Sequence, residues 1–213
     1  MTGPTVRRYR PEDAEAVRAI CCDTAFYGKP IETVFKDRDL IADSLISYYA
    51  MFEADSFFVA ESEGSVVGYL TGCADTERFN RLYRQAVVPR LFGKFLVRGH
   101  WLRWSVWRLL ATLLPAARQL QRARQSLYGG YPAHCHLNLA MQVRRSGTGT
   151  KLLQAFQAHL IDREIRGVHA SGATDQGKAF FAKAGFEILA TCPLPRMSVP
   201  TPSQAWVMGK RLE

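Results

Sequence analysis

Apolar residues recur along the chain with two different spacings, and these spacings predict which segments are strands and which are helices. Short apolar or alternating runs predict strands at residues 6–10, 57–61, 66–72, 134–139, 167–171, 186–190 and 205–210. Spacings near 3.6 predict a helix that opens at Pro11 and further helices at about 39–52, 147–163 and 176–184. The order of these elements predicts an α/β chain in which helices pack on a mixed sheet.

Residues 76–127 interrupt this order with an arginine-rich helical pattern. Residues 78–125 hold 11 of the 28 Lys and Arg residues and none of the 19 Asp and Glu residues, so this segment accounts for the formal net charge of +9. We interpret it as a basic helical insertion. Its charge suits nucleic acid, an anionic membrane surface or an acidic ligand, and it is equally typical of a solvated helix face. Three tryptophans between its arginines fit helix packing, a lid over a pocket or a membrane-surface patch: Trp101, Trp104 and Trp107.

Length and composition favour one domain over residues 1–213, because 47% of the residues are apolar and can form a sizeable core. The five cysteines include no C-x-x-C pair, which favours reduced thiols over disulfides. Residues 1–10 are polar and basic, without the apolar stretch of a secretory signal, so we expect a cytoplasmic protein. The most apolar stretch, residues 101–114, ends at Pro115 and is shorter than the roughly 20 residues of a membrane span.

Residues 144–150, Arg-Arg-Ser-Gly-Thr-Gly-Thr, lie between a predicted strand and a predicted helix. The first N–H groups of such a helix have no backbone partner, and the helix dipole adds positive potential there. Gly147 and Gly149 leave room for a bulky anion, and the two arginines and Lys151 add charge. The turn therefore predicts a pyrophosphate site, although a plain tight turn has the same pattern. It matches neither a P-loop nor a dinucleotide-binding fingerprint.

Four segments in this order resemble the GCN5-related N-acetyltransferase (GNAT) superfamily. They are the strand at 136–139, the turn at 144–150, the helix start at 151–153 and the stretch Ala-Phe-Phe-Ala-Lys-Ala-Gly-Phe at 179–186. Residues 131–139 and 167–169 resemble, more narrowly, a bacterial subgroup related to the acetyltransferase-like domain of O-GlcNAc hydrolases. The resemblance implies a GNAT fold, with a mostly antiparallel central sheet and the helical insertion before the cofactor-binding strand.

The resemblance also implies a function, an N-acyltransferase that moves an acetyl group from acetyl-CoA to a small-molecule or peptide amine without a metal. The pantetheine arm would pair with the strand before the turn, the pyrophosphate would rest on the turn, and a main-chain N–H near Leu139 would polarise the thioester carbonyl. The residues so implied in cofactor binding are Leu137, Asn138, Leu139, Arg144, Arg145, Ser146, Gly147, Thr148, Gly149, Thr150, Thr174 and Phe181.

Three of these residues depart from the family's pattern. Phe181 takes the place of the tyrosine that protonates the leaving thiolate, and Thr174 takes the place of an asparagine that touches the cofactor. Asn138 stands where close relatives often carry an aspartate. These departures make an acyl-CoA-binding sensor without turnover the alternative function.

A general base is available among the histidines. Strand alternation puts His134, His136 and Asn138 on one face, with His169 on the neighbouring strand. A histidine can take an ammonium proton near neutral pH, although these side chains also fit hydrogen-bonded structural histidines or, less well, a zinc pair. A tyrosine just before the strand could replace the missing hydroxyl. The candidate catalytic residues are His136, Asn138, His169 and Tyr131.

The partners are only partly defined by the sequence. A nucleic-acid function is disfavoured, and a peripheral membrane contact through the tryptophan-rich insertion stays open. Acyl length is not fixed, and the chain fits a monomer or a homodimer.

Overall fold

A computed structural model describes residues 3–197 and 199–213, so Met1 and Thr2 of the polar N-terminal segment lie outside it. The described residues form one sheet of seven strands. These are β1 (Thr5–Arg8), β2 (Phe57–Ser62), β3 (Ser65–Cys73), β4 (Ala133–Leu139), β5 (Gly167–Gly172), β6 (Glu187–Pro193) and β7 (Gln204–Arg211). The sheet order is β1-β2-β3-β4-β5-β7-β6, and every pair is antiparallel except β4 with β5. The predicted mixed, mostly antiparallel sheet is confirmed.

Seven α-helices flank the sheet in the described residues. They are α1 (Ala14–Thr24), α2 (Arg38–Phe52), α3 (Thr76–Leu82), α4 (Val88–Val97), α5 (Trp104–Gln125), α6 (Thr148–Ile161) and α7 (Asp175–Lys183). None of them has the length and apolar character that a membrane crossing requires. The predicted helix opening at Pro11 is a short 3₁₀ turn, Pro11–Asp13, that runs into α1.

Two apolar layers cover the two faces of the sheet. On one face α6 contributes Leu152, Phe156 and Leu160, and on the other α1 and α2 contribute residues such as Val17 and Ile46. β2 is buried on both sides, which explains why its sequence is a continuous apolar run rather than an alternating one. The face under α1 and α2 is the one that carries the predicted catalytic side chains of β4.

The segment between β3 and β4 is helical, as the sequence predicts. α3 and α4 are joined by a single π turn, Tyr83–Val87. The turn lies just before Pro89, which has no N–H to donate to the helix hydrogen-bond ladder. Pro115, which ends the apolar stretch of residues 101–114, does not end the helix, because α5 continues through it to Gln125, within the helical segment predicted at 76–127. The helix formers on both sides of Pro115 outweigh the loss of one hydrogen bond on a surface helix.

Ion pairs attach this helical segment to α2. Lys94 of α4 bonds Asp43, and Arg98 and His100 both bond Asp37. Asp37 also accepts a hydrogen bond from the N–H of Leu40 and so caps α2. The basic helices are therefore held on the α1 and α2 side of the sheet, next to β4.

Candidate active site

β4 and β5 run side by side for only part of their length. Ala133, His134 and Cys135 pair with Val168, His169 and Ala170, and no further pair continues this ladder. β4 nevertheless stays paired with β3 as far as Leu139. The edge of residues 136–139 that faces β5 therefore has no strand partner among the described residues. Leu139 O accepts a hydrogen bond from Arg144 Nε, and no strand competes for the other backbone groups of this edge, which are open to an extended ligand.

This free edge leads into the glycine turn. A short 3₁₀ turn, Met141–Val143, follows β4, and α6 begins at Thr148. The first α6 N–H that bonds back to a carbonyl is that of Lys151, which donates to Gly147 O at 3.1 Å. The N–H groups of residues 148–150 have no acceptor in the described part of the chain. With the helix dipole behind them, they form a site for an anion.

The two glycines of the turn have different roles. Gly147 has a φ of 82°, a left-handed conformation that strains other residues, and a side chain placed there would meet open space. Gly149 is buried, and a Cβ there would lie 3.3 Å from Phe180 and 3.4 Å from Leu139. Gly147 therefore faces the proposed anion, whereas Gly149 allows close packing of α6. The contact with Phe180 was not apparent from the sequence.

The polar side chains of the turn are mostly engaged with its own backbone. The Ser146 hydroxyl donates to Val143 O at 2.7 Å and lies 2.7 Å from the hydroxyl of Thr148. Arg144 Nε donates to Leu139 O at 3.3 Å. Lys151, which was predicted to add charge to the anion site, donates instead to Pro4 O at 3.1 Å. Backbone N–H groups thus dominate the site.

His134 and His169 are buried structural histidines. The ring nitrogens of His134 lie 2.8 Å from Tyr49 Oη and 2.8 Å from Thr76 Oγ1, and burial holds its pKa well below the usual value. His169 Nδ1 donates to Tyr131 O at 2.9 Å, and burial lowers its pKa to about 4. Zinc binding between His134 and His136 is disfavoured, because both nitrogens of His134 have protein partners. No group of three metal-ligating side chains occurs in residues 3–197 and 199–213.

His136 differs from its neighbours because its side chain is exposed. Its ring has no hydrogen-bond partner in the described residues, and only its carbonyl is engaged, by Thr71 Oγ1 at 3.4 Å. Its pKa is nevertheless below the usual value, because protein surrounds the site and Arg124 adds positive charge. We name the open space beside this ring and the unpaired edge of residues 136–139 the cleft. At neutral pH it is uncharged and able to accept a proton.

Two other candidate residues on or beside β4 have structural contacts. Asn138 Nδ2 donates to the buried Tyr69 Oη at 2.7 Å, which ties β4 to β3. The Tyr131 ring lies under the guanidinium of Arg211, 5.1 Å from its centre. Tyr131 precedes β4, so about seven residues of extended chain, roughly 20 Å, separate it from Asn138. Its hydroxyl is poorly placed to replace that of the family tyrosine.

The remaining cofactor candidates lie on α7. Thr174 caps this helix by accepting a hydrogen bond from the N–H of Gly177 at 3.1 Å, and its carbonyl accepts one from Trp206. Phe181 is 7% exposed and packs against Phe186 and Trp206, with ring centres 5.0 and 5.8 Å away. Thr174 therefore caps α7 and Phe181 packs in the core, and the phenyl ring of Phe181 has no proton to give.

Two surface depressions lie away from this cleft. One lies between α1 and α2 and is lined by charged side chains, including Arg18 and Arg38, that already pair with acids of the protein. The other lies near the C-terminal residues Leu212 and Glu213. Neither is lined by the glycine turn or by His136.

Comparison with known proteins bears on the fold. No family model matches the chain. The solved structure of SsHAT is 27% identical, covers all of both chains and has a TM-score of 0.74. The polyamine N-acetyltransferase of Drosophila melanogaster is 14% identical, with 98% of this chain and all of the other covered and a TM-score of 0.67. A GNAT superfamily phosphinothricin acetyltransferase from Sinorhizobium meliloti, in complex with AcCoA, is 14% identical, with 99% and 89% covered and a TM-score of 0.59. The chain therefore has the fold of the GNAT superfamily.

Proposed function

We propose that the protein is an acyl-CoA-dependent N-acyltransferase that transfers an acetyl group from acetyl-CoA to an amine. The observation that carries this proposal is the unpaired edge of β4, which the short connection of residues 140–147 joins to the free N–H groups at the start of α6. Together they fit a long extended ligand with a pyrophosphate at one end. Structures with the same fold include N-acetyltransferases for agmatine, polyamines and phosphinothricin, and one of them contains AcCoA.

The proposed cosubstrate is held mainly by backbone. Its pantetheine arm pairs with the free edge of Leu137, Asn138 and Leu139. Its pyrophosphate accepts hydrogen bonds from the N–H groups of residues 145–150, because the N–H of Arg144, also expected to take part, already donates to Met141 O. The exposed Arg145 supplies additional charge. Thr174 and Phe181 border the arm from α7. This arrangement directs the thioester toward the middle of β4, where the His136 ring is accessible.

The proposed chemistry is direct attack by the amine. His136 takes a proton from the acceptor ammonium, and the free amine nitrogen then forms a bond to the thioester carbonyl carbon. A main-chain N–H near Leu139 stabilises the developing oxyanion, and the carbon–sulfur bond breaks. The nitrogen releases its second proton to water as the amide forms, and because Phe181 has no proton to give, the thiolate is protonated from the same water. Asn138, His169 and Tyr131 act as positioning residues, since each holds a strand or a neighbouring ring in place.

The alternative function is an acyl-CoA sensor without turnover. Phe181 and Thr174 support it, because both have packing or capping roles where the family uses chemically active groups. The accessible and uncharged His136 supports the enzyme instead. A sensor has no need for a proton acceptor in the cleft, so turnover is the better supported function.

The experiment that tests the proposal combines binding with turnover. We expect acetyl-CoA and CoA to raise the unfolding temperature of the wild-type protein but not of Gly147→Glu, which places a negative charge at the anion site. Thiol release from acetyl-CoA is then measured with a panel of amines. Binding without any thiol release would support the sensor, and absence of binding would contradict both functions.

We also propose a subgroup, a cellular location, an acceptor type and an oligomeric state for the protein. Residues 131–139 and 167–169 support membership of the bacterial subgroup related to the acetyltransferase-like domain of O-GlcNAc hydrolases, and we place the protein in the cytoplasm. The acceptor is a small molecule or a peptide. The protein is a monomer or a homodimer.

A peripheral membrane contact is favoured by one surface, which we name the helical tip and define as residues 92–107. Its apolar side chains are unusually exposed, including Phe92 at 60%, Val97 at 89%, Leu102 at 70% and Trp104 at 78%. Phe95 packs against Trp107, which joins the two helices of the tip. Apolar and tryptophan side chains among arginines suit an anionic membrane surface. A second copy fits less well, because it would bring another acid-free, basic segment into contact.

A further inference from the structure

Arg124, in the last turn of α5, is a partly buried cation without an acidic partner. Its Nη2 donates to Gln121 Oε1 at 2.8 Å, and its buried Nε has no acceptor in the described residues. No carboxylate lies within ion-pair distance of it in residues 3–197 and 199–213. Other arginines with buried contacts, such as Arg7 and Arg78, are paired with Asp13 and Glu53. Arg124 thus combines a partly buried side chain, a buried N–H without an acceptor and the lack of an acidic partner.

A chain of contacts places Arg124 beside the cleft. Gln121, its hydrogen-bond partner, donates to Tyr128 Oη at 3.2 Å. The Tyr128 ring stacks on His169, with centres 5.8 Å apart. His169 pairs in register with His134, two residues before His136. The C-terminal end of α5 therefore lies over the strand positions that border His136.

The electrostatic effect of Arg124 agrees with this position. Burial is the larger cause of the lowered pKa values of His134, His136 and His169, and the charge of Arg124 lowers all three further. A cation lowers the pKa of a histidine only when the two groups are close enough to repel each other as charges. The guanidinium therefore acts on the same space that the His136 ring faces.

A partly buried guanidinium without a counterion lowers the stability of the protein unless a ligand supplies the negative charge. A buried N–H without an acceptor loses its hydration and gains nothing in return. The surrounding segment cannot supply a counterion, because residues 78–125 contain no Asp or Glu. A carboxylate from outside the chain would supply the missing counterion by accepting charge-assisted hydrogen bonds from the terminal N–H groups of the guanidinium.

We propose that Arg124 binds a carboxylate of the acceptor, so that the acceptor is an amine that also carries a carboxylate, as an amino acid does. This inference rests on the proposed function. The carboxylate contacts Arg124 while the amine lies next to His136, which fixes the nitrogen for attack on the thioester. Arg124 is then the residue that determines acceptor specificity, and it takes no part in proton transfer.

The experiment compares amino acids with their carboxamides, which differ only in the charged group. With acetyl-CoA saturating, we expect the acids to show at least a tenfold higher kcat/KM for thiol release than the amides. Arg124→Gln should remove this preference by raising KM for the acids about 10- to 100-fold, since a charge-assisted contact is lost. Arg124→Lys should restore part of it. Arg122→Gln, on the same turn but exposed, is the matched control and should behave as the wild type.

A second measurement keeps this inference separate from the proposed function. Calorimetric binding of the acids and amides to the CoA-saturated protein requires no turnover. Acid-selective binding that Arg124→Gln abolishes, without any thiol release, would support the carboxylate site and contradict the enzyme. Turnover or binding that is equal for acids and amides, and unchanged in Arg124→Gln, would overturn the carboxylate site and leave the enzyme intact. Unfolding temperatures of the variants check that each is folded.

Discussion

The histidines on β4 and β5 show how neighbouring side chains of one type acquire different properties. His134 is enclosed by hydrogen-bond partners and aromatic rings, and His169 is buried with its Nδ1 bonded and its Nε2 without a partner in the described residues. The ring of His136 is exposed. Only His136 can therefore meet an acceptor. We expect His136→Gln to lower kcat by at least about 100-fold, because general-base catalysis contributes roughly that much or more. Acetyl-CoA binding, measured by thermal stabilisation, should be unchanged.

The pH profile gives an independent readout of the same residue. Because the pKa of His136 is below its usual value, the acid-side fall of kcat/KM should be centred below pH 6.5, where an unperturbed histidine titrates. The control is His159→Gln on α6, since His159 bonds Ser56 and lies outside the cleft. Full activity in His136→Gln would remove this residue from the mechanism.

His169 has a consequence for stability rather than for catalysis. Its pKa is about 4 in the folded protein, and a histidine in the unfolded chain titrates near 6.5. Between these values the unfolded state binds the proton and the folded state does not, so the free energy of unfolding decreases as pH falls. The expected loss from this residue approaches ~3 kcal/mol at pH 4.

Denaturant unfolding of the wild type and of His169→Gln at pH 7, 5.5 and 4.5 measures this contribution. The slopes of unfolding free energy against pH are compared between the two proteins, because carboxylates also titrate in acid. We expect a shallower pH dependence in the variant. Identical slopes in the two proteins would show that His169 is as easily protonated in the folded state as in the unfolded one.

At the scale of elements, the turn between β4 and α6 can be tested with two substitutions at one position. Gly147→Ala adds only the strain of a Cβ at positive φ, which costs roughly 1–2 kcal/mol. Gly147→Glu adds the same strain and a negative charge at the helix start. We expect the two variants to lose similar stability but Gly147→Glu to bind acetyl-CoA at least tenfold more weakly than Gly147→Ala. Equal affinities would mean that the pyrophosphate lies elsewhere.

The elements themselves were predictable because their patterns are local. β4 was expected at 134–139 and is Ala133–Leu139, and α2 was expected at about 39–52 and is Arg38–Phe52. One face of β4 and one stripe of α2 are buried, so apolar residues recur along each element with the period of a strand or of a helix. The glycine turn was also visible, since a strand, two glycines and a helix in succession leave few alternatives for the backbone.

The features that were not predictable depend on contacts between distant segments. Strand alternation placed His134 and His136 on one face, but only the packing of α2 and α3 decides that His134 is enclosed and His136 is open. Nothing in the sequence distinguishes Arg124 from the other basic residues of its segment, because its missing partner is a property of the fold. The early end of the β4–β5 ladder likewise depends on two strands that are far apart in the chain.

At the scale of the whole molecule, positive charge and exposed apolar surface coincide. The helices between β3 and β4 carry the excess of basic residues, and the helical tip at their far end exposes Leu102 and Trp104. Exposed apolar patches of this kind mark interaction surfaces. The same segment carries Arg124 and the helical tip. It would therefore determine both the acceptor that the protein binds and its contact with a membrane.

Vesicle binding tests this arrangement. We expect the wild type to co-sediment with vesicles that contain phosphatidylserine but not with pure phosphatidylcholine, and to be released by high salt, because the attraction is partly between exposed charges. Trp104→Ser should weaken binding several-fold, since it removes apolar area from the tip. Ile188→Ser, at an exposed apolar residue of β6 outside the tip, should leave binding unchanged. A wild-type dimer that Trp104→Ser dissociates, with no vesicle binding, would instead assign the tip to a second copy of the chain, despite the repulsion between the two basic segments.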